Sequence, residues 1–230
     1  MTDGVDLDGE IRRVDLDRWL ASRFIADPAR RADVIALYAL DHELARAAQV
    51  ASNALLAEIR LTWWRESIDE IFAGGEARRH PTVQALTTAV RGRGLPRAPF
   101  EAMIEARVGA LETPPLDLTG ARAWAVAAEG SLSRLAALIL GAGEAAASAE
   151  PAGTVWGLTL LRRAGKTGGA DYDAGLKEAL VEARRGAKAL PSAAFPAALC
   201  ATLARGDLGP AASEVGKRAR LTWATLSGRL

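Results

Sequence analysis

Residues 37–49, with the sequence LYALDHELARAAQ, carry the pattern that decides the fold. Apolar side chains recur in and just before this stretch at steps of three and four residues, as on the buried face of an α-helix. The pair Asp27-Pro28 precedes it. An aspartate caps the first amides of a helix, and a proline costs nothing at the first helical position. We therefore predict a long amphipathic helix that begins at this pair and runs through the stretch.

The same period continues along almost the whole chain, and no segment alternates as a strand would. Glycines and prolines mark the predicted ends. Two stretches rich in small residues, 141–152 and 164–174, are predicted to be loops or frayed ends. The chain is predicted to be all-α, a single domain over 1–230 with about eight to ten helices in one bundle. Further helices are expected at 53–73, 81–92, 96–112, 119–140, 151–164, 171–190, 193–204 and 210–226.

Composition excludes several classes of protein. The 230 residues are 50% hydrophobic and 25% charged, with a formal net charge of +1. A near-neutral chain of this kind can bury one core and offers no bulk positive charge to nucleic acid. One cysteine, Cys200, cannot form a disulfide within the chain, and the two histidines lack metal-ligand spacing. No apolar run is long enough to span a membrane and the start is acidic, so we expect a cytoplasmic protein.

Several short motifs occur in order between about residues 15 and 165. They are Asp17-Arg18-Trp19-Leu20, Leu37-Tyr38-Ala39-Leu40, Ile59-Arg60-Leu61, Trp64-Arg65-Glu66, and Trp124 followed by Glu129-Gly130-Ser131-Leu132. In order and spacing they resemble the squalene/phytoene synthase family. Residues 39–45 and 58–64 are most similar to a divergent branch, the relatives of mitochondrial complex I assembly factor 6. The resemblance implies an isoprenoid-synthase-like bundle around a central cavity, with looser C-terminal helices over 166–230.

The resemblance also implies two Mg²⁺-binding motifs, and this chain departs from both. Enzymes of the family carry paired aspartates at the positions of Ala45 and Gln49, where they hold Mg²⁺ against a substrate diphosphate. In the second motif, Thr159 and Arg163 stand where the enzymes carry asparagine and aspartate. An arginine at about 4–5 Å from Mg²⁺ would repel each ion by several kcal/mol at an effective dielectric of about 20. Residues 151–170 contain no carboxylate, so no shift of register restores one. We therefore expect no catalytic residues and no bound metal.

Carboxylate pairs four residues apart do occur elsewhere, as Glu66/Glu70, Glu101/Glu105 and Glu178/Glu182. Such spacing places both groups on one helix face. They are either solvated surface groups or a relocated Mg²⁺ site, and the sequence leaves both open. Arg65 and Asp69 are expected to form an ion pair along the same helix.

Six residues are candidates to line the interior of the bundle: Tyr38, Arg60, Trp64, Arg107, Trp124 and Glu129. Asp41 and Glu43 point to different faces of their helix and cannot chelate one ion together. One of them is expected to bond Arg60 or Arg107 across the bundle. Glu129 replaces a small apolar residue of the enzymes, and it would hinder a prenyl tail unless a cation pairs with it.

These observations favour a non-catalytic family member, a pseudoenzyme, that works as an accessory or assembly factor. The resemblance implies maturation of respiratory complex I at the inner face of a membrane, with a client protein and a lipid or isoprenoid ligand as partners. The alternative is a Mg²⁺-dependent prenyl diphosphate transferase with atypical metal ligands. A third possibility is a peripheral lipid-binding module. Its attraction to membranes is expected to be weak, since the chain is neutral and no polybasic helix is evident.

Overall fold

A computed structural model describes residues 6–49, 54–115, 117–204 and 213–230. Within these ranges the chain forms twelve α-helices and no strand, which confirms the all-α prediction. A π-helical turn, Val126–Gly130, joins α7 to α8, and 3-10 turns occupy Gly143–Ala149 and Ser192–Ala198. The helices are α1 Leu7–Val14, α2 Leu16–Ser22, α3 Pro28–Gln49, α4 Ala54–Phe72, α5 Pro81–Arg93, α6 Ala98–Glu112, α7 Leu118–Ala125, α8 Ser131–Ile139, α9 Glu150–Arg163, α10 Ala170–Ala187, α11 Cys200–Ala204 and α12 Glu214–Ser227.

The described residues form more helices than the eight to ten that were predicted, because short helices contain too few residues to show a clear hydrophobic period. Helices α1 and α2 were not predicted, and the single helix expected over 119–140 is divided by the π turn. The predicted starts at residues 53 and 210 lie outside the described residues. No helix of the described chain is long and apolar enough to cross a membrane.

Local capping explains where the helices begin. The Asp27 carboxylate accepts a hydrogen bond from the amide of Ala29 at 2.8 Å, and Pro28 opens α3 as predicted. Asp15 caps α2 by accepting from the amide of Arg18 at 3.0 Å. These bonds satisfy amides that have no partner inside the helix. The cap at Asp15 also fixes the start of the helix that carries Arg18 into the interior.

Helix α3 lies at the centre of the N-terminal part and packs against α1, α4, α5, α6 and α8. Its apolar face is fully buried through Leu37, Leu40 and Leu44, as the period of residues 37–49 predicts. Helix α9 is the second central element and packs against α7, the π turn and α10. Cys200 is buried and unpaired.

Two glycines allow α9 to approach the π turn closely. A Cβ at Gly153 would lie 2.1 Å from the carbonyl oxygen of Glu129, and one at Gly157 would lie 2.7 Å from the Cβ of Ala125. Neither distance is possible between real atoms, so a larger residue would force the two elements apart. The π turn itself changes the direction of the side chains relative to an α-helix. Within this turn Glu129 is buried.

Candidate functional site

Four charged side chains meet in the interior between α2, α3, α6 and the π turn. Arg18, Asp41, Arg107 and Glu129 are each between 2% and 4% exposed. Arg18 donates to Asp41 at 2.6 Å and also to Glu129, while Arg107 donates to Asp41 and lies 3.5 Å from Glu129. Each cation thus contacts both anions. We call these four residues the central ion network.

Aromatic rings and main-chain groups complete the surroundings of the two arginines. The Arg18 guanidinium lies 5.5 Å from the ring centre of Tyr38, and that of Arg107 lies 5.7 Å from Trp124. Arg107 also donates to the carbonyl oxygen of Met103 at 2.9 Å. Cations over aromatic faces gain further attraction when water is excluded. Paired charges and aromatic rings thus occupy the interior between α2, α3, α6 and the π turn, where the resemblance implies a ligand cavity.

The two acids of the network differ in protonation. Burial by itself would raise the pKa of Asp41, but the charges of Arg107 and Arg18 outweigh burial and hold this pKa below its ordinary value. Burial raises the pKa of Glu129 to about 7 against the opposing charge of Arg18, and the charges of Asp41 and Asp15 add to the increase. Asp41 and Asp15 already balance the charges of Arg18 and Arg107, so ionisation of Glu129, the third carboxyl group, is disfavoured.

This difference predicts how stability depends on pH. Because the pKa of Glu129 is about 7 in the folded chain and 4.5 for a fully solvated glutamate, its stabilising contribution is complete below pH 4.5 and is lost as pH rises through 7. Unfolding should cost on the order of 2 kcal/mol less at pH 8 than at pH 5. Urea denaturation of the wild type and of Glu129→Gln at both pH values measures this. An equal decrease in the variant would show that another group is responsible.

The first metal-motif positions lie on the same face of α3 as Asp41, one and two turns further along. Ala45 is half-buried, and Gln49 ends the helix, with its side chain outside the described residues. Of positions 41, 45 and 49, only position 41 therefore has a carboxylate. Its two oxygens accept hydrogen bonds from arginines.

The second metal-motif positions on α9 have structural roles. Thr159 is fully buried and its hydroxyl donates to the carbonyl oxygen of Val155 at 2.9 Å. Arg163 donates to the carboxylate of Asp17 at 2.9 Å and lies 4.8 Å from the ring centre of Trp156. Lys217 from α12 contacts the other oxygen of Asp17 at 2.6 Å. Arg163 thus helps to join α9, α2 and α12.

Arginines bind five of the six carboxylates in the pairs that were candidates for a relocated metal site, the exception being Glu178. Arg78 contacts Glu66 at 3.1 Å and Glu70 at 2.7 Å. In the part of the chain that the structure describes, no three histidine, cysteine or acidic side chains converge as a metal would require. The other paired acids are Glu101 with Arg97, Glu105 with Arg65, and Glu182 with Arg122.

The predicted ion pair between Arg65 and Asp69 is wrong. Arg65 contacts Glu105 at 2.6 Å, and Asp69 contacts Arg97 at 2.7 Å. Both partners come from α6 or the residue just before it, and α6 packs against α4. Partners on the adjacent helix therefore replace the partner along the same helix.

The six candidate residues for the interior fall in three places. Tyr38, Arg107 and Glu129 lie in or beside the central ion network, and Trp124 lies at its edge. Trp124 also borders an open groove of about 620 Å³ between α6 and α7. Arg60 and Trp64 line a separate cavity of about 360 Å³ with Glu43, Arg46, Ala47, Trp63 and His80. Neither of these two cavities is lined by a member of the network.

Asp41 or Glu43 was expected to bond Arg60 or Arg107, and the structure shows the pair of Asp41 with Arg107. Glu129 is paired with cations as its burial requires. Sequence reasoning did not identify Arg18, although the residue belongs to a quoted motif. The sequence shows no clear signal, because Arg18 directly follows Asp15 and Asp17, and an arginine beside acids usually indicates a solvated surface. Only the packing of α2 reveals its role.

The fold and sequence together define the class of protein. Residues 11–167 match the model of the squalene/phytoene synthase family. The chain belongs to this family. A comparison with curated protein sequences gave no significant match.

Two solved structures have the same fold over nearly their whole length. A dehydrosqualene synthase in complex with ligand superposes with a TM-score of 0.75 at 13% identity, covering 96% of this chain and 94% of that one. The squalene synthase HpnC from Alicyclobacillus acidocaldarius superposes with a TM-score of 0.65 at 18% identity, covering 97% and 96%. At such low identity these similarities establish the fold alone.

Proposed function

We propose that this chain is a non-catalytic member of the squalene/phytoene synthase family that acts as an accessory or assembly factor. Arg163 is the observation that carries the proposal. The resemblance assigns it to a metal-motif position, and on α9 it is bound to Asp17 and lies over the ring of Trp156. Ionising an allylic diphosphate requires Mg²⁺ held by clustered oxygen ligands. A fixed cation in that position opposes such a cluster.

The central ion network supports the same proposal. A prenyl tail that entered between α2, α3 and α6 would have to displace Arg18 or Arg107 from their carboxylate partners. Separating a buried ion pair leaves an uncompensated charge, which costs about 3–5 kcal/mol. The interior is therefore better suited to hold the helices in a fixed arrangement than to admit an apolar substrate.

Maturation of respiratory complex I is the role we propose for this scaffold, on the basis of the similarity of residues 39–45 and 58–64 to the assembly-factor branch. A strain that lacks the gene should contain less complex I and show lower NADH:quinone activity. Reintroducing the wild-type gene should restore both. Succinate dehydrogenase activity serves as the control for a general respiratory defect. Normal complex I in the deletion strain would refute this role.

The alternative is a Mg²⁺-dependent prenyl diphosphate transferase with atypical metal ligands, which membership of the squalene/phytoene synthase family keeps open. The folded protein should form no product from farnesyl or geranylgeranyl diphosphate, with or without Mg²⁺. A dehydrosqualene synthase assayed in parallel controls for substrate and detection. Metal-dependent condensation would overturn the non-catalytic proposal, while a negative result would leave the complex I role to be tested separately.

A further inference from the structure

Helix α12 presents an apolar face to solvent. Its inner face is anchored by Leu221 and Ala224, both buried. On the opposite face Val215, Trp223 and Leu226 are 75%, 71% and 80% exposed. With Ala219, which is also exposed, they follow each other at steps of four, four and three residues, so they share one side of the helix. We call these four residues the α12 apolar stripe.

Basic side chains lie beside this stripe. Arg218 and Arg220 stand on its two sides, as expected from 100° of rotation per residue. Arg184, Lys188, Arg220 and Arg229 line a cavity of about 700 Å³, and Trp223 of the stripe forms part of its wall. The chain is neutral as a whole, but positive charge is concentrated here.

The four basic residues of the cavity have no acidic side chain as a partner within the described chain. Arg184 donates to a main-chain oxygen of Leu230, the last residue of the sequence, at 3.1 Å. Across residues 6–49, 54–115, 117–204 and 213–230, no carboxylate side chain forms a salt bridge with any of the four. The nearby acid Glu214 is paired with Arg218. Other arginines of the described chain also lack a carboxylate partner, but here four basic residues line one cavity.

A buried hydroxyl lines the same cavity. Thr202 on α11 is 6% exposed, and its Oγ1 has no hydrogen-bond partner among the described residues. Buried polar groups are nearly always paired, so an unpaired hydroxyl calls for an explanation. The oxygen itself has almost no exposed surface, so it lies behind the wall of the cavity, and the four guanidinium and ammonium groups are the donors that phosphate oxygens would reach.

We propose that the α12 apolar stripe and the basic cavity together form a docking site for an anionic phospholipid membrane. Lipid phosphates would bind Arg184, Lys188, Arg220 and Arg229, while Trp223 and Leu226 enter the boundary between headgroups and acyl chains. Tryptophan suits that boundary because its ring is apolar and its N–H is polar. Uncompensated cations flanking a narrow apolar face match an anionic lipid surface. This site is independent of the function proposed for the bundle interior.

Vesicle co-sedimentation of the full chain tests the proposal. The protein should bind vesicles of phosphatidylcholine mixed with phosphatidylglycerol and leave pure phosphatidylcholine vesicles unbound. Trp223→Ala/Leu226→Ala and, separately, Arg220→Glu should each weaken binding by about tenfold. Leu55→Ala/Ile59→Ala removes comparable exposed apolar groups from α4, and Arg13→Glu makes the same charge change on α1. Both controls should bind as the wild type does, and all variants should melt at similar temperatures because the changed side chains are exposed.

Several outcomes would overturn the proposal. Equal binding to both kinds of vesicle, or equal losses in the control variants, would show that the charge and the stripe are not the determinants. Binding of inorganic phosphate by calorimetry, without binding to anionic vesicles, would assign the cavity to a free anion. Light scattering that shows a dimer in the wild type and a monomer in Trp223→Ala/Leu226→Ala, again without vesicle binding, would assign the stripe to a second copy of the chain.

Discussion

Replacing Arg18 with methionine is expected to lower the free energy of unfolding by about 4 kcal/mol, because the change leaves buried carboxylates without their shared cation. Arg18 contacts Asp15, Asp41 and Glu129, and its side chain is almost completely buried. Methionine has a similar length and is apolar, so the variant tests charge rather than volume. Chemical denaturation at pH 8, where Glu129 is mostly ionised, gives the value directly.

Arg97→Met is the matched control. Arg97 also contacts two carboxylates, Asp69 and Glu101, but about half of its side chain is exposed. Exposed ion pairs contribute about 0–1 kcal/mol, so this loss should be small. Arg18→Met/Glu129→Gln should be more stable than Arg18→Met, because the second change removes one uncompensated carboxylate. A loss in Arg18→Met no larger than in Arg97→Met would contradict the assignment of Arg18 to a buried network.

Gly153→Ala is expected to destabilise the protein by about 3 kcal/mol, because the added methyl group meets the main chain of the π turn. The Cβ would lie 2.1 Å from the Glu129 carbonyl oxygen and 2.6 Å from the hydroxyl of Ser133. Backbone atoms cannot move aside as the end of a flexible side chain can. Thermal denaturation should show the melting temperature falling by about 6–12 °C.

Gly109→Ala is the corresponding control in α6. Nothing lies within 4 Å of a Cβ at Gly109, and the residue is exposed. Alanine stabilises an exposed helix position by up to about 1 kcal/mol relative to glycine. The two identical substitutions should therefore have opposite signs. Stabilisation by Gly153→Ala would mean that α9 and the π turn are not in close contact.

Helix periodicity predicted the fold well because long helices repeat the buried pattern many times, as α3 does from Val34 to Leu44. It failed for α1 and α2, which have only eight and seven residues. The π turn has no such periodic signal, so the direction of Glu129 could not be derived. Glu129 is buried because Gly153 and Gly157 let α9 approach the π turn closely. The sequence does not show which element these two glycines face.

The candidate site was predicted in part. An acid on α3 was expected to bond an arginine across the bundle, but the sequence left both Asp41 or Glu43 and Arg60 or Arg107 open, and the packing of α3 against α6 selects Asp41 with Arg107. Arg18 could not be found in this way, since its partners are 23 and 111 residues away. For the same reason the basic cavity beside α12 escaped notice, because Arg184 and Arg220 are brought together only by the packing of α10, α11 and α12.

The central ion network joins residues 18, 41, 107 and 129, which belong to four separate parts of the chain. A partly folded form that buried Asp41 without Arg18 and Arg107, or either arginine without Asp41, would enclose an unbalanced charge, so such a form should be poorly populated. The network therefore favours cooperative formation of the N-terminal half of the bundle. Hydrogen exchange of α2, α3, α6 and the π turn should reflect this, with all four opening in a single step.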